Sequence, residues 1–414
     1  MRMVRKKIRS FLCLLLPAML ALGAAAEAPS GGMSRAAVRR QTAALQTLGA
    51  RLFRDPALSA SGRLSCASCH SPAHGFGPAN ALPVQMGGVG MDQAGTRAAP
   101  SLTYLEATPP FTEHFFDSDD DGDESVDNGP TGGLTWDGRV DRGRDQARIP
   151  LLSEREMANK SAADVAVRLE KAGYAAALRR ILGAKLASGT QVFDAAVEAI
   201  EVYEQDYRVF YPYSSKYDAY LAGKADLSPA EARGLKLFED PDKGNCSSCH
   251  LSQRANNGSP PEFTDYGLIA IGVPRNRAIP VNGDPAHFDL GLCGPDRTDF
   301  LDRADYCGLF KTPSLRNVAL RQSFMHNGVF HSLREVMEFY VERDTDPGKW
   351  YAHRADGTVE KYDDLPVIYH GNVNVDPPFD RKPGQPPALD AQEIGDVIAF
   401  LGTLTDGYKV PKRP

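Results

Sequence analysis

The sequence predicts a mainly α-helical chain made of two tandem copies of one unit, with long loops between the helices. Three observations carry that expectation. The pentapeptide Cys66-Ala67-Ser68-Cys69-His70 recurs as Cys246-Ser247-Ser248-Cys249-His250. Each copy follows the same lead-in, Gly49-x-x-Leu52-Phe53-x-Asp55-Pro56 before the first and Gly234-x-x-Leu237-Phe238-x-Asp240-Pro241 before the second, and such internal repetition reads as duplicated structure. Helix start signals recur along the chain, whereas alternating strand patterns are scarce.

The first 26 residues read as a secretory signal. Arg2, Arg5, Lys6, Lys7 and Arg9 form a positive region, and the apolar run Phe11 to Ala26 ends in Ala24-Ala25-Ala26, a small-residue cleavage site. Pro17 interrupts the run, which is too short for a membrane span, and Cys13, preceded by Ser10-Phe11-Leu12, is poorly placed for lipid attachment. The expectation is export to the periplasm, with no membrane span in the mature chain. Cleavage would remove five basic and no acidic residues from a chain of 47 basic and 53 acidic ones. The acidic remainder excludes a nucleic-acid partner, which demands a basic surface, and suits a soluble protein that meets a basic partner.

Each lead-in predicts a helix that stops at Asp-Pro, because the residue before proline is pushed out of the α region, and then feeds into the cysteine pair. Ser161 with Asp164 opens a helix to about Ala172. Asp194 opens one carrying Val197, Ile200, Tyr203 and Tyr207 on one face. Ser228-Pro229-Ala230-Glu231 is a capping box with proline at the first helical position, and Ser332-Leu333-Arg334-Glu335 is another. Asp390-Ala391-Gln392-Glu393 begins the final helix, with Ile394, Val397, Ile398, Leu401 and Leu404 as its core stripe. Loops 71–134, 252–313 and 345–389 are rich in Gly, Pro and Asp, and loops this long usually line a functional site. The polar stretch Ala222-Gly223-Lys224-Ala225-Asp226 marks the boundary, giving a signal at 1–26, a first domain at 27–224 and a second at 225–414; 414 residues suffice for two cores.

Cys-x-x-Cys-His is the attachment pattern of c-type haem. Two sulfurs one turn apart meet the two vinyl groups, and the adjacent histidine lies under the iron. Cys66, Cys69 and His70 would hold one haem, and Cys246, Cys249 and His250 a second, so the chain moves electrons. A zinc site made from two Cys-x-x-Cys knuckles is the alternative; it leaves both histidines unexplained and joins knuckles distant in sequence. Cys293 and Cys307 remain, and in an oxidising compartment a disulfide is expected between them. The run Asp117-Ser118-Asp119-Asp120-Asp121-Gly122-Asp123 offers oxygen ligands from Asp117, Asp119, Asp121 and Asp123 around a glycine turn, which suits calcium. Its twelfth position is Asn128 instead of a bidentate glutamate, and a merely solvated acidic loop stays an equal reading.

Further motifs carry a resemblance. Between the pentapeptides lies Trp136-Asp137-Gly138-Arg139, with Glu156-Met157 twenty residues beyond Trp136. After the second come Thr312-Pro313-Ser314-Leu315-Arg316-Asn317-Val318-Ala319-Leu320 and His326-Asn327-Gly328. From about residue 45 to the last helix the chain resembles the bacterial dihaem cytochrome c peroxidase and MauG family. The resemblance implies two tandem cytochrome c-like haem domains, the first haem reacting with peroxide and the second storing and relaying oxidising equivalents. It implies that Trp136 bridges the haems, that Glu156 is the distal acid–base carboxylate, that Gln146 and Pro150 line its pocket, and that Arg316 borders the second haem. Read without it, Trp136 would be core packing and Glu156 an exposed residue beside Glu154.

Two departures from the peroxidases of that family matter. The loop from Gly87 to Arg97 contains no histidine to cap the first haem, and His74 follows His70 too closely to reach the opposite face. The first haem is therefore expected to be open, with Met86 or Met91 as alternative ligands. Fourteen residues after His326, where the peroxidases carry methionine, stands Tyr340, on one helical face with Val336 and Met337. Tyr340 is the expected second ligand of the second iron, Met337 the alternative. An anionic oxygen stabilises oxidised iron more than a thioether does. The pair of departures points to the MauG- and MbnH-like branch: a periplasmic oxidase that uses hydrogen peroxide to oxidise a partner protein, at tryptophan for example, through high-valent haem iron. The alternatives are a cytochrome c peroxidase fed by a small cytochrome c, and a dihaem electron carrier with no enzymatic activity. The family's calcium between the domains is in doubt, since Ala98 stands where its asparagine would be and its carbonyl positions fall near Arg321 and Ser323.

Overall fold

The two repeated glycines, Gly49 and Gly234, solve the same packing problem twice. Helix α1 (Arg35–Leu52) ends, and helix α7 (Pro229–Glu239) runs, where a neighbouring helix comes so close that no side chain fits. A Cβ on Gly49 would lie 1.9 Å from the carbonyl oxygen of Ala199, in helix α5 (Gly189–Glu204). A Cβ on Gly234 would lie 1.9 Å from the carbonyl oxygen of Asp396, in helix α9 (Ala391–Gly402). The leucine and phenylalanine that follow each glycine turn inward, and Phe53 and Phe238 are both fully buried.

The computed structural model describes residues 33–116, 127–183, 186–187 and 189–411. The expected leader and the acidic run Asp117, Asp119, Asp121 and Asp123 lie outside the described residues. The chain divides into a first unit ending at Arg40 and a second, Gln41–Pro414, which carries everything below. Between α1 and α5 come α2 (Gly143–Leu152), α3 (Ala162–Lys171) and α4 (Tyr174–Leu182). Between α5 and α9 come α6 (Lys216–Leu221), α7 and α8 (Leu333–Glu342). The described strands are short antiparallel pairs: β1 (Met86–Gly87) with β2 (Gln93–Ala94), Met86 opposite Ala94, and β3 (Leu268–Ile269) with β4 (Phe310–Lys311), Leu268 opposite Lys311.

The helices start where side chains can take up their free N–H groups. Ser161 accepts from Asp164 N at the head of α3. Full capping boxes open α7 (Ser228 with Glu231), α8 (Ser332 with Glu335) and α9 (Asp390 with Glu393). Asp55 lies in extended backbone beyond α1 and caps the single turn Pro56–Leu58, while Asp240 ends α7 in the same conformation. Helix α5 departs from expectation at both ends. It begins at Gly189, because the buried pair Val192 and Phe193 belongs to it, and Asp194 pairs with Arg148 at 2.7 Å instead of capping. It stops at Glu204, because Asp206 turns extended and caps a new turn, Tyr207–Phe210. Tyr207 is consequently 65% exposed and no part of the core face.

Two apolar clusters fill the helical parts. One gathers residues from Leu45 to Phe210, the other residues from Tyr217 to Leu404. Tyr217 of α6 meets Phe263 and Phe400 edge-on, at 5.5 and 5.3 Å, so α6 packs with the second cluster. A smaller cluster surrounds the Cys293–Cys307 disulfide, whose Cα atoms are 4.9 Å apart. Elsewhere the long loops are held by buried arginines that satisfy backbone carbonyls. Fully buried Arg343 donates to Ile271 O and Asn374 O, pairs with Asp344, and lies 3.8 Å over the Phe379 ring. No described helix is long and apolar enough to cross a membrane.

Alanine is the better helix former by about 1 kcal/mol, yet Gly234→Ala forces α7 off α9. The variant is expected to lose about 1–3 kcal/mol of stability, the usual cost of overpacking, read as a lower melting temperature of the full chain.

Candidate functional site

Both pentapeptides open onto one cavity of about 760 Å³. At its first end, Cys66–Cys69 form a single helical turn capped by Ser65, and the His70 N–H donates to Cys66 O at 2.9 Å. The His70 ring has Nδ1 3.0 Å from the carbonyl oxygen of Phe76. A carbonyl only accepts, so Nδ1 carries the proton and the lone pair is left on Nε2. Burial pushes the imidazole down to about 4 and keeps it neutral. At the second end the arrangement repeats: His250 Nδ1 lies 2.8 Å from Phe263 O, and burial again lowers the ring to about 4.

The two accepting carbonyls belong to residues that share a conformation. Phe76 and Phe263 are buried and sit at φ 52° and 55°, in the left-handed region that side chains other than glycine seldom adopt. Each packs against the phenylalanine of the repeat, among other rings. Phe53 meets Phe76 edge-on at 5.9 Å, and Phe238 meets Phe263 edge-on at 6.3 Å. The lead-in repeat thus connects, through one aromatic contact and one hydrogen bond, to the tautomer of each histidine.

All four pentapeptide cysteines are free, and burial pushes Cys66 and Cys246 up to about 12 and Cys69 and Cys249 up to about 11. No group of three or more His, Cys, Asp or Glu among the described residues is placed to hold a metal ion, so the two knuckles do not assemble a zinc site. Free thiols beside a neutral histidine with an available Nε2 can hold a c-type haem at each end.

Around the first end, Glu156 lines the cavity with Gln146 and Pro150 of α2. The β1–β2 hairpin presses on Glu156: Gly88 N donates to Glu156 O at 2.8 Å, and a Cβ on Gly87 would lie 2.3 Å from Arg155 O. Glu156 is exposed by surface area and also lines the cavity. The protein around it pushes its carboxyl up to about 7; Arg139 pulls the other way and Asp296 adds to the rise. Met86 and Met91 do not line the cavity, whereas His74 does, its Nδ1 3.1 Å from Ser71 Oγ.

Trp136 is fixed at both polar groups. Its indole N–H donates to Ala98 O at 2.8 Å, and its carbonyl accepts from Lys311 N at 2.8 Å. The next residue, Asp137, is fully buried and accepts from Arg97 at 2.6 Å, Arg139 at 2.7 Å and Thr135 at 2.6 Å. Burial raises its pKa, but Arg97 and Arg139 outweigh that and hold the carboxyl below its ordinary value. Arg97 also grips Asp289 through two bonds of 2.6 and 2.7 Å, and Arg139 reaches Asp296 at 3.1 Å.

At the second end, Tyr340 and Met337 of α8 both line the cavity. The Tyr340 hydroxyl makes no hydrogen bond among the described residues. Burial pushes its pKa up, the nearby Cys249 and Cys246 sulfurs add to this, and Arg343 opposes it. Its ring lies 5.3 Å from Phe379. Arg316 lines the same cavity but is already engaged, paired with Asp218 at 3.0 Å, donating to Pro261 O, and sandwiched 4.6 Å from Tyr104 and 4.7 Å from Tyr213. Sequence reasoning missed the Phe76 and Phe263 carbonyls and the Arg97–Asp289 pair. It also missed the stack of His326 on Phe310, centroids 3.6 Å apart, which lines the cavity beside Lys311.

The family model described as di-haem cytochrome c peroxidase matches residues 43–226. The methylamine utilization protein MauG of Paracoccus denitrificans is 34% identical over 388 residues, 91% of this chain and 92% of its own length. Among solved structures, the diheme peroxidase BthA of Burkholderia thailandensis is 42% identical with a TM-score of 0.77, covering 87% of this chain and 86% of that one. A MauG-like protein associated with microbial copper homeostasis is 26% identical with a TM-score of 0.59, covering 91% of each chain.

Removing Asp137 would leave two guanidinium groups facing a buried gap. Asp137→Ala is expected to cost about 3–5 kcal/mol, the range for breaking a buried pair from one side. Because the folded carboxyl titrates below its ordinary value, its contribution is complete above about pH 4 and fades as pH falls further. Denaturant melts at neutral and acid pH check both statements.

Proposed function

This chain belongs to the dihaem cytochrome c peroxidase and MauG family, and on that premise we propose that it is a periplasmic oxidase that uses hydrogen peroxide to oxidise a partner protein, at a tryptophan for example. It is a peroxidase-family oxidoreductase; what carries the finer reading is the inequality of the two cavity ends. Glu156 stands at the first end with no methionine in the cavity beside it, and Tyr340 stands at the second.

The family's two haem c groups, when bound, supply peroxide reduction and the storage of oxidising equivalents. Cys66 and Cys69 would hold the first haem covalently and Cys246 and Cys249 the second, with Nε2 of His70 and of His250 as iron ligands. The Glu156 carboxylate would take a proton from peroxide and return it to the departing oxygen. A pKa near 7 leaves both protonation states available at neutral pH, which is the condition for acid–base work. Gln146 and Pro150 close the wall beside it. Trp136, tied at its indole and its carbonyl, offers an oxidisable ring that cannot swing away. Tyr340 resists ionising where it is buried, so its phenolate persists only against a cation such as the second iron. The two apolar clusters support two haem domains, and α6, expected in the first, packs with the second.

A cytochrome c peroxidase fed by a small cytochrome c would share the first end, but Tyr340 in place of methionine speaks against it. A pure electron carrier would need a second ligand at the first iron, and Met86 and Met91 lie outside the cavity.

The acid limb of peroxide consumption follows from Glu156. Its basic form rises as pH rises through about 7, so the rate is expected to fall below that pH. Glu156→Gln is expected to lower the rate roughly a hundredfold or more and to abolish the limb, in stopped-flow traces across pH. For the reading as a whole, the product of the neighbouring gene is identified and, where it is an exported protein, mixed with the holoprotein and peroxide. Intact-mass spectrometry is expected to find oxygen added to that protein. Fast turnover of a reduced small cytochrome c with no mass change would return the chain to the plain peroxidases.

A further inference from the structure

The segment 98–100 ties three parts of the site together. The Ala98 N–H donates to His326 O at 2.7 Å, and the Ala98 carbonyl takes the Trp136 indole N–H. The Pro100 carbonyl faces the His70 ring. Between these, Ala99 O accepts from Arg321 Nη2 at 3.1 Å, and Arg321 Nε donates to Ser323 O at 3.3 Å. Residues 98, 321 and 323 are the positions where the resemblance puts a calcium ion between the two halves.

They do not fit that ion. Calcium takes six to eight oxygens at about 2.3–2.6 Å. Ala98 brings no side-chain oxygen, its carbonyl is committed to Trp136, and no carboxylate among the described residues pairs with Arg321. The carbonyl oxygens of Ala99 and Ser323 are instead bridged by a guanidinium, a planar cation that only donates. Gly77 leaves it room, since a Cβ there would lie 3.3 Å from Nη1. Burial pulls Arg321 down to about 10, so it stays charged at neutral pH. It also lines the cavity together with His70.

We propose that the Arg321 guanidinium is a built-in cation at this junction: it does for the Trp136 loop what a bound calcium would do, and it makes the junction independent of calcium. Arg321 is a positioning residue, and its charge also bears on the first iron site. Oxidised iron carries more positive charge than reduced iron, so a fixed cation near His70 raises the first midpoint potential. The inference rests on family membership and on a haem at His70; it is independent of partner oxidation, and its test does not use peroxide or a partner.

The test uses dihaem holoprotein in which the acidic run is neutralised by Asp119→Asn and Asp121→Asn, so that any calcium retained belongs elsewhere. Elemental analysis is expected to find no stoichiometric calcium, and dialysis against EGTA to leave the melting temperature and Soret spectrum unchanged. In the same background Arg321→Gln is expected to lower the melting temperature and the midpoint potential of the first haem, and Arg321→Lys to restore most of the potential. One calcium per chain whose removal by EGTA lowers the melting temperature would overturn the proposal. So would an Arg321→Gln protein with unchanged midpoint potential.

Discussion

One hydrogen bond, made twice, sets the chemistry of both halves: an imidazole Nδ1–H given to the carbonyl of a phenylalanine held at positive φ. It fixes the tautomer and leaves Nε2 as the only nitrogen with a lone pair to offer. The backbone conformation it needs costs on the order of 1–3 kcal/mol at each phenylalanine and persists only when surroundings over-determine it. Here the surroundings include Phe210 and Tyr217 and, packed less closely, the repeated phenylalanines, Phe53 against Phe76 and Phe238 against Phe263. Those rings are in turn seated by helices that close on Gly49 and Gly234. The repeat in the sequence is therefore a mechanical train from helix crossing to histidine tautomer.

What the two halves do not share is what faces the histidines. Glu156 is pinned by a hairpin that has no room for a Cβ at Gly87, and its crowded setting brings its pKa close to neutrality. Tyr340 faces the other end with a hydroxyl that has no hydrogen-bond partner among the described residues and with an aromatic neighbour. Trp136 is tied between segments 98–100 and 310–311 by hydrogen bonds from its ring and its backbone. Beside it, Asp137 draws Arg97 and Arg139 into an ion cluster with Asp289 and Asp296 that is buried at Asp137 and open at Asp296. A rigid polar lattice of this kind suits a residue whose position matters more than its motion.

Local chemistry was legible in the sequence wherever it is written within a few residues. The pentapeptides, the capping residues Ser161, Ser228, Ser332 and Asp390, and the proline stops are of this kind. Tyr207 was misread because a 3.6-residue period cannot reveal that Asp206 prefers to cap a new turn. Asp194 was misread because its carboxylate pairs with Arg148 across to α2, a contact no local pattern encodes. The carbonyl partners of the histidines escaped notice for another reason: Phe76 follows His70 by six residues and Phe263 follows His250 by thirteen, so the repeat is broken where it matters. Arg97 and Asp289 come together only in the folded chain. Glu156, Trp136 and Tyr340 became visible through family resemblance, since nothing in their immediate neighbours distinguishes them from core or surface residues.

With haem bound as proposed, one iron site is open and the other closed. Electron paramagnetic resonance of the resting, fully ferric holoprotein tests that most directly. The prediction is one high-spin and one low-spin haem signal in equal amounts in wild type, with Tyr340→Phe converting only the low-spin component. Two low-spin signals in wild type, or a low-spin signal indifferent to Tyr340, would contradict it.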